Sequence, residues 1–150
     1  MEKIIPWCRA NNTSTLTYGA LCRGLLTGTI GKDTRFEGDD LRKTDPKFLP
    51  PRFAQYTRAV DKLRDFGRKN YGKEILPLAV RWVLDQPGVS VALWGARHPN
   101  ELDPLREVMG WKLDKAALAS MDKIVAESVR DPVGPEFMAP PEARPGQPAA

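Results

Sequence analysis

Two cysteines and one histidine in 150 residues rule out several kinds of chemistry. Cys8 and Cys22 form no CxxC pair, and with His98 they do not supply the four nitrogen and sulfur ligands of a structural zinc site. So few cysteines fit two reduced thiols in a cytoplasmic protein, not the disulfide framework of a secreted one. Long apolar runs are also lacking. No stretch approaches the ~20 residues of a membrane span, and the opening MEKIIPW has no apolar signal-peptide core. Charge of one sign is scarce too. Twenty-three Lys and Arg against 19 Asp and Glu leave a net charge of +4, which admits an anionic ligand but is no nucleic-acid footprint. The bases are not interleaved with aromatics, and Arg58, Lys62, Arg64, Arg68, Lys69 and Lys73 read as the solvated face of a helix. Neither nucleic acid nor membrane is expected as a partner.

What remains is the composition of a globular domain. With 41% hydrophobic and 28% charged residues, a chain this long can bury about 68–70% of its unfolded surface. Two glycine-ended stretches organise it. Thr15–Tyr18 is rich in β-branched and aromatic residues, reads as a short buried strand, and runs into the glycine-spaced loop Gly19–Gly28. Val89–Trp94 is a second apolar run, ending at Gly95-Ala96-Arg97. Between them, Phe53–Asn70 carries apolar residues at three-four spacing (Phe53, Tyr56, Val60, Leu63, Gly67), with Gly72 as its stop. Ile75–Asp85 is apolar nearly all round, as suits a helix wedged between a sheet and another helix.

The flanks follow the same logic. Ile4, Ile5 and Cys8 mark the tail of a helix ending near Asn11. Pro104 forbids one helix from Pro99 onward, so a turn at Pro99–Asp103 and a helix starting at Pro104, capped by Asp103, are expected. Asp114 caps a last helix with Leu118, Met121, Ile124 and Val125 on one face. Residues 29–51 form a long polar segment, and a loop of that length in a compact domain reads as a lid. Phe36, Leu41, Phe48 and Leu49 favour its docking. Six prolines among residues 131–150 read as an extended or disordered tail.

Strands separated by helices are the units of a parallel α/β sheet, whose ligands sit beyond the carboxyl ends of the strands. Both glycine loops fall at such ends. Two parallel strands do not make a stable sheet alone, so the expectation is one side of a larger barrel or doubly wound sheet, continued by polypeptide upstream of residue 1.

Three motifs, in order, then carry a family resemblance. Tyr18–Gly28, YGALCRGLLTG, resembles the aldo/keto reductase segment Y-S-P-L-G-x-G-x-L-T-G that follows the seventh barrel strand. Leu93–Arg97 with Glu101-Leu102 is similar to I-P-G-A-R/S-x-x-x-Q-L after the eighth. Leu78–Leu84, LAVRWVL, resembles the helix A-L-x-W-V-L. The resemblance implies a partial (β/α)8 TIM barrel: residues 1–130 as the C-terminal part of an aldo/keto reductase, 29–51 as a lid over the cofactor, and 131–150 as a member-specific tail.

It further implies hydride transfer between NADP(H) and a carbonyl or alcohol. Tyr18 is then placed under the nicotinamide. Gly19, Ala20, Leu21, Arg23 and Gly24 follow the pyrophosphate, and Gly95, Ala96, Arg97 and Glu101 lie along the adenosine 2′-phosphate and ribose. The residue types suit those roles, since glycine admits close backbone approach, free N–H groups bind anions, and arginine forks onto phosphate. Three positions depart from the pattern. Ala20 stands at the proline of Y-S-P-L, and Leu105 at the usual adenine-contacting Asn. Glu101 replaces Gln or Arg, and a carboxylate there repels a 2′-phosphate, which leaves NAD(H) open beside NADP(H).

The family's catalytic Asp, Tyr, Lys and His match nothing here. Tyr18, Tyr56 and Tyr71 fall at other positions, and His98 reads as solvated. No catalytic residue is therefore assigned. The chain is expected to act only with a partner supplying the first half of the barrel. The alternative is a non-catalytic remnant that binds dinucleotide weakly, offers a packing surface or self-associates.

Overall fold

The structure is a computed structural model that describes residues 3–134. In chain order come α1 (Ile4–Ala10), β1 (Leu16–Thr17), α2 (Arg52–Tyr71), α3 (Ile75–Leu84), β2 (Val91–Ala92), α4 (Leu105–Val108) and α5 (Lys115–Ser128), with short 3₁₀ turns between them. It is a helix-rich α/β arrangement around one small parallel sheet, in which Leu16 pairs with Val91 and Thr17 with Ala92. The pairing is longer than two residues suggest, because threonine and serine side chains extend it. The Thr15 hydroxyl donates to the Gly88 carbonyl at 2.9 Å, and the Thr17 hydroxyl to the Val91 carbonyl at 2.9 Å. Ser90 Oγ in turn accepts from the Thr15 amide.

The core lies on the helix side of the sheet. Leu63 and Val60 of α2, Ile75 and Leu78 of α3 and Met121 of α5 share one apolar cluster with Leu25, Ile30 and Phe48. As its all-round apolar pattern predicts, α3 is buried on nearly every side, with Leu78 wholly enclosed. It separates this cluster from a smaller one in which Leu76, Val80 and Val108 receive Ala92 and Trp94. Gly72, in the left-handed region at φ 62°, ends α2, and the Asp114 carboxylate caps α5 by accepting from the Ala117 amide at 2.7 Å. After α5 the chain is laid along the start of α2. There the Arg130 amide donates to Gln55 and the Val133 amide to the Tyr56 hydroxyl.

Two expectations need correction. The strands are not buried. Alternation turns Leu16, Tyr18, Val91 and Leu93 onto the face away from the helices, and they are 63%, 68%, 40% and 45% exposed. An apolar run reads as buried on both faces, whereas only the helix side is covered here. Asp103 does not cap α4 either. It closes the 3₁₀ turn Pro99–Leu102, and Pro104 takes the position before a single helical turn. Cys8 and Cys22 are free thiols. Among the described residues no helix is long and apolar enough to cross a membrane, and no His, Cys, Asp and Glu group could hold a metal. The Pro-rich tail lies outside the described residues from 135 onward.

Gly67 gives a test of the packing. In an open helix Gly→Ala stabilises by about 1 kcal/mol. At Gly67 an added Cβ would lie 2.8 Å from the Lys73 carbonyl oxygen and 3.1 Å from Leu78 Cδ2. Gly67→Ala is expected to destabilise instead, by about 1–3 kcal/mol of overpacking. Urea denaturation followed by circular dichroism checks the sign.

Candidate cofactor site

Because β1 and β2 run parallel, the loops that follow them leave from the same end of the sheet. The first loop turns sharply. Gly19 has φ 78°, and Cys22, Arg23 and Gly24 form a left-handed run at φ 49°, 55° and 90°. Two non-glycine residues there each cost roughly 1–2 kcal/mol, so the surroundings must hold the shape. Hydrogen bonds from the Cys22 amide to the Gly19 carbonyl (2.8 Å) and from the Gly24 amide to the Leu21 carbonyl (2.9 Å) do part of this. The amides of Ala20 and Leu21 have no backbone acceptor among the described residues. They are candidate anion donors.

The loop side chains divide by role. Tyr18 lies open on the bare sheet face. Ala20 is buried, and Leu21 packs on the Leu76–Val80–Val108 cluster, so either could meet a ligand only through its backbone. Arg23 Nη1 donates to Asp45 Oδ2 at 3.1 Å. Asp45 has no exposed surface, and it also accepts from the Lys47 amide (3.0 Å) and pairs with Lys47 Nζ (2.9 Å). Arg23, expected as a phosphate ligand, thus also pins the loop to the lid. Burial raises the pKa of Cys22, the largest effect, with Lys47 opposing it. That direction favours the thiol over the thiolate.

The second loop is open. Gly95, Ala96 and Arg97 are exposed, and an added Cβ at Gly95 would meet nothing within 4 Å. Glu101 folds back, its Oε2 accepting from the Arg97 amide at 2.8 Å. That bond, helped by the His98 amide and the charges of His98 and Arg97, lowers its pKa. Leu105, at the adenine-contacting position, is half exposed.

Residues 29–51 bring in groups the sequence reading missed. Asp40 holds Arg42 in a forked pair (Nε to Oδ1 2.9 Å) and accepts the Arg42 amide at 2.9 Å. Its pKa falls to about 2, mainly through the Arg42 side chain and with a contribution from Arg97. Arg42 Nη1 reaches the Arg23 carbonyl at 3.5 Å and lies beside Gly24. The segment therefore docks between the two strand-end loops, touching Gly24 and lying within electrostatic reach of Arg97. Phe36 and Phe48 anchor it with ring centroids 5.2 Å apart, while Leu41 stays exposed. On the helix side, an apolar cleft of about 610 Å³ opens beside Thr17 and Tyr18, walled by Tyr56, Trp82, Met121 and Val125.

The aldo/keto reductase family model matches residues 1–126. The chain belongs to the aldo/keto reductase family. It is 51% identical over 140 residues to the aldo-keto reductase YhdN of Bacillus subtilis, covering 93% of this chain and 42% of that protein. It is 26% identical over 117 residues to the Schizosaccharomyces pombe aldo-keto reductase yakc, whose name carries NADP(+), covering 77% and 34%. A solved structure, the glycerol dehydrogenase of Gluconobacter oxydans, superposes with a TM-score of 0.82 at 46% identity, over 92% of this chain and 42% of that one. This aldo/keto reductase chain thus spans under half the length of these relatives.

Asp45 carries the prediction here. Asp45→Ala removes the buried carboxylate that Arg23 and Lys47 share and is expected to cost about 3–5 kcal/mol. Asp45→Asn keeps an acceptor for the Lys47 amide and should cost less. Chemical denaturation of both variants measures the order.

Proposed function

We propose that these residues are the C-terminal, cofactor-holding part of the barrel of an NAD(P)(H)-dependent aldo/keto reductase. The supporting observation is the convergence of the Gly24 loop, the Gly95–Arg97 loop and the Asp40–Arg42 pair at one end of a parallel sheet. The residues present fit a dinucleotide: two unpaired amides, an open glycine strand end, three arginines and an exposed tyrosine face. The bound nicotinamide would supply the hydride acceptor or donor.

Each group of residues has a share in holding it. The exposed Tyr18 ring offers an apolar platform for a planar heterocycle. The Ala20 and Leu21 amides donate to the pyrophosphate. Arg97 and the Gly95–Ala96 backbone meet the adenosine end, and the 29–51 lid closes over the middle. No residue here moves the substrate proton. That group is supplied by polypeptide outside these 150 residues, as a separate chain or as part of a longer one, docked on the bare face of Leu16, Tyr18, Val91 and Leu93. The same open apolar face supports the second reading, a non-catalytic module that binds dinucleotide weakly or self-associates through this surface.

Glu101 bears on the choice of cofactor. Its carboxylate already takes the Arg97 amide, so a 2′-phosphate arriving there meets a like charge, and NAD(H) is favoured. Titration of the chain with NADH and NADPH, followed by tryptophan fluorescence with Trp94 next to Gly95 as reporter, should show the tighter binding for NADH. Glu101→Gln should improve NADPH binding about fivefold and leave NADH nearly unchanged. An absence of quenching by either nucleotide near millimolar concentration sinks the cofactor reading. An unaltered preference in Glu101→Gln removes only Glu101. Carbonyl reduction by the chain alone is expected to be nil, and a rate that follows the purified protein would show that a proton donor is present after all.

A further inference from the structure

On the side of residues 29–51 that bears Lys32 and Arg35 lies a second cleft of about 610 Å³. Four cations line it, Lys32, Arg35, Arg42 and Lys43, and no acidic side chain does. Its floor is aromatic. Phe36, Phe48 and Phe53 pack in a triangle with ring centroids 5.2–6.4 Å apart, and the Arg42 guanidinium sits 4.3 Å above the Phe36 ring. Pro50, Pro51 and Leu49 form the apolar rim.

Among the described residues, Arg42 alone of the four cations has a carboxylate partner, Asp40. Lys43 Nζ donates to the Gly38 carbonyl and Arg35 Nη1 to the Thr34 carbonyl, while Lys32 has no ion-pair partner among the described residues. The acids nearest in sequence, Asp33, Glu37 and Asp39, are exposed and stay out of the cleft. Like charges lining one cleft repel one another, and a concave apolar floor with a few charged groups at its edge is the ordinary form of a small-molecule site.

We infer that this cleft binds a small anion in which a flat apolar or aromatic group adjoins a phosphate-like dianion. The ring lies on the phenylalanine floor, and the dianion meets Lys32, Arg35 and Lys43. The cleft lies on the lid and shares Arg42 with the dinucleotide reading, but Lys32, Arg35, Lys43 and the phenylalanine floor have no part in that reading.

Phenyl phosphate, titrated into the whole chain by calorimetry, is the test. One-to-one binding is expected, with inorganic phosphate and uncharged benzyl alcohol each at least about tenfold weaker. Lys32→Glu with Arg35→Glu, both exposed, should weaken phenyl phosphate at least about tenfold. Lys62→Glu with Lys69→Glu, exposed on α2, makes the same charge change away from the cleft and should leave binding within about twofold. Independently of any variant, nuclear Overhauser contacts should link the ligand ring to Phe36 and Phe53. The inference is overturned by failure to saturate, by equal loss in the two charge-reversed pairs, by inorganic phosphate matching phenyl phosphate, or by ring contacts elsewhere.

Discussion

The parallel pairing of β1 with β2 is the constraint behind everything at the site. A parallel pair fixes direction, and direction decides that two loops far apart in sequence emerge side by side. The ladder is short, and side chains make up for it. Thr15 and Thr17 stand where their hydroxyls reach carbonyls on the opposite strand, and Ser90 returns a bond to the Thr15 amide. β-Branched threonine thus serves twice, as a residue that prefers the pleat and as a donor that lengthens the pairing. Gly88, at φ 96°, makes the turn into β2, and a Cβ there would strike Ile5 of α1 at 2.8 Å. The first helix and the second strand are therefore registered against each other before the loops begin.

Asp45 does for the loops what the ladder does for the strands. Burying a carboxylate is costly unless charge and hydrogen bonds surround it, and this one has Arg23, Lys47 and the Lys47 amide. Arg23 sits in the middle of the left-handed run, so the ion pair grips the chain where its backbone is least favourable. The lid and the first loop consequently form one structural unit. A shift of Asp45 moves Arg23, and with it the amides of Ala20 and Leu21.

The helices were legible because their signals are local. Val60, Leu63 and Gly67 recur at helical spacing, Gly72 and Asp114 mark ends by conformation and by capping, and Pro104 breaks a run that would otherwise continue. The glycine loops were legible as motifs. The covering of the sheet was legible only in part: Leu16 and Tyr18 read alike whether one face is packed or two, but two parallel strands without barrel neighbours imply an uncovered inner face, and that is the face found bare. The lid resisted for another reason. Its order comes from Asp45 reaching Arg23, Arg42 reaching the Arg23 carbonyl and Phe36 meeting Phe48, pairings with no period and no fixed spacing. Asp40 and Arg42 looked like ordinary members of a mixed-charge loop, and nothing local marks them as lying beside Gly24 and Arg97.

The arginines nearest the candidate cofactor site share a condition that shapes how any phosphate could bind there. Arg23 has Asp45, Arg42 has Asp40, and the Arg97 backbone has Glu101, with Asp40 also within reach of its charge. A phosphate entering the site therefore exchanges one charge-assisted bond for another. The gain in affinity is the difference between two anions on the same donors, much smaller than the strength of either bond. Carboxylates that stay charged well below neutral pH, as Asp40 does with a pKa of about 2, hold the donors in place and shield them from unspecific anions. On the proposed reading, selectivity would rest on ligand groups that carboxylates cannot imitate, a planar ring over Tyr18 and a pyrophosphate on the Ala20 and Leu21 amides.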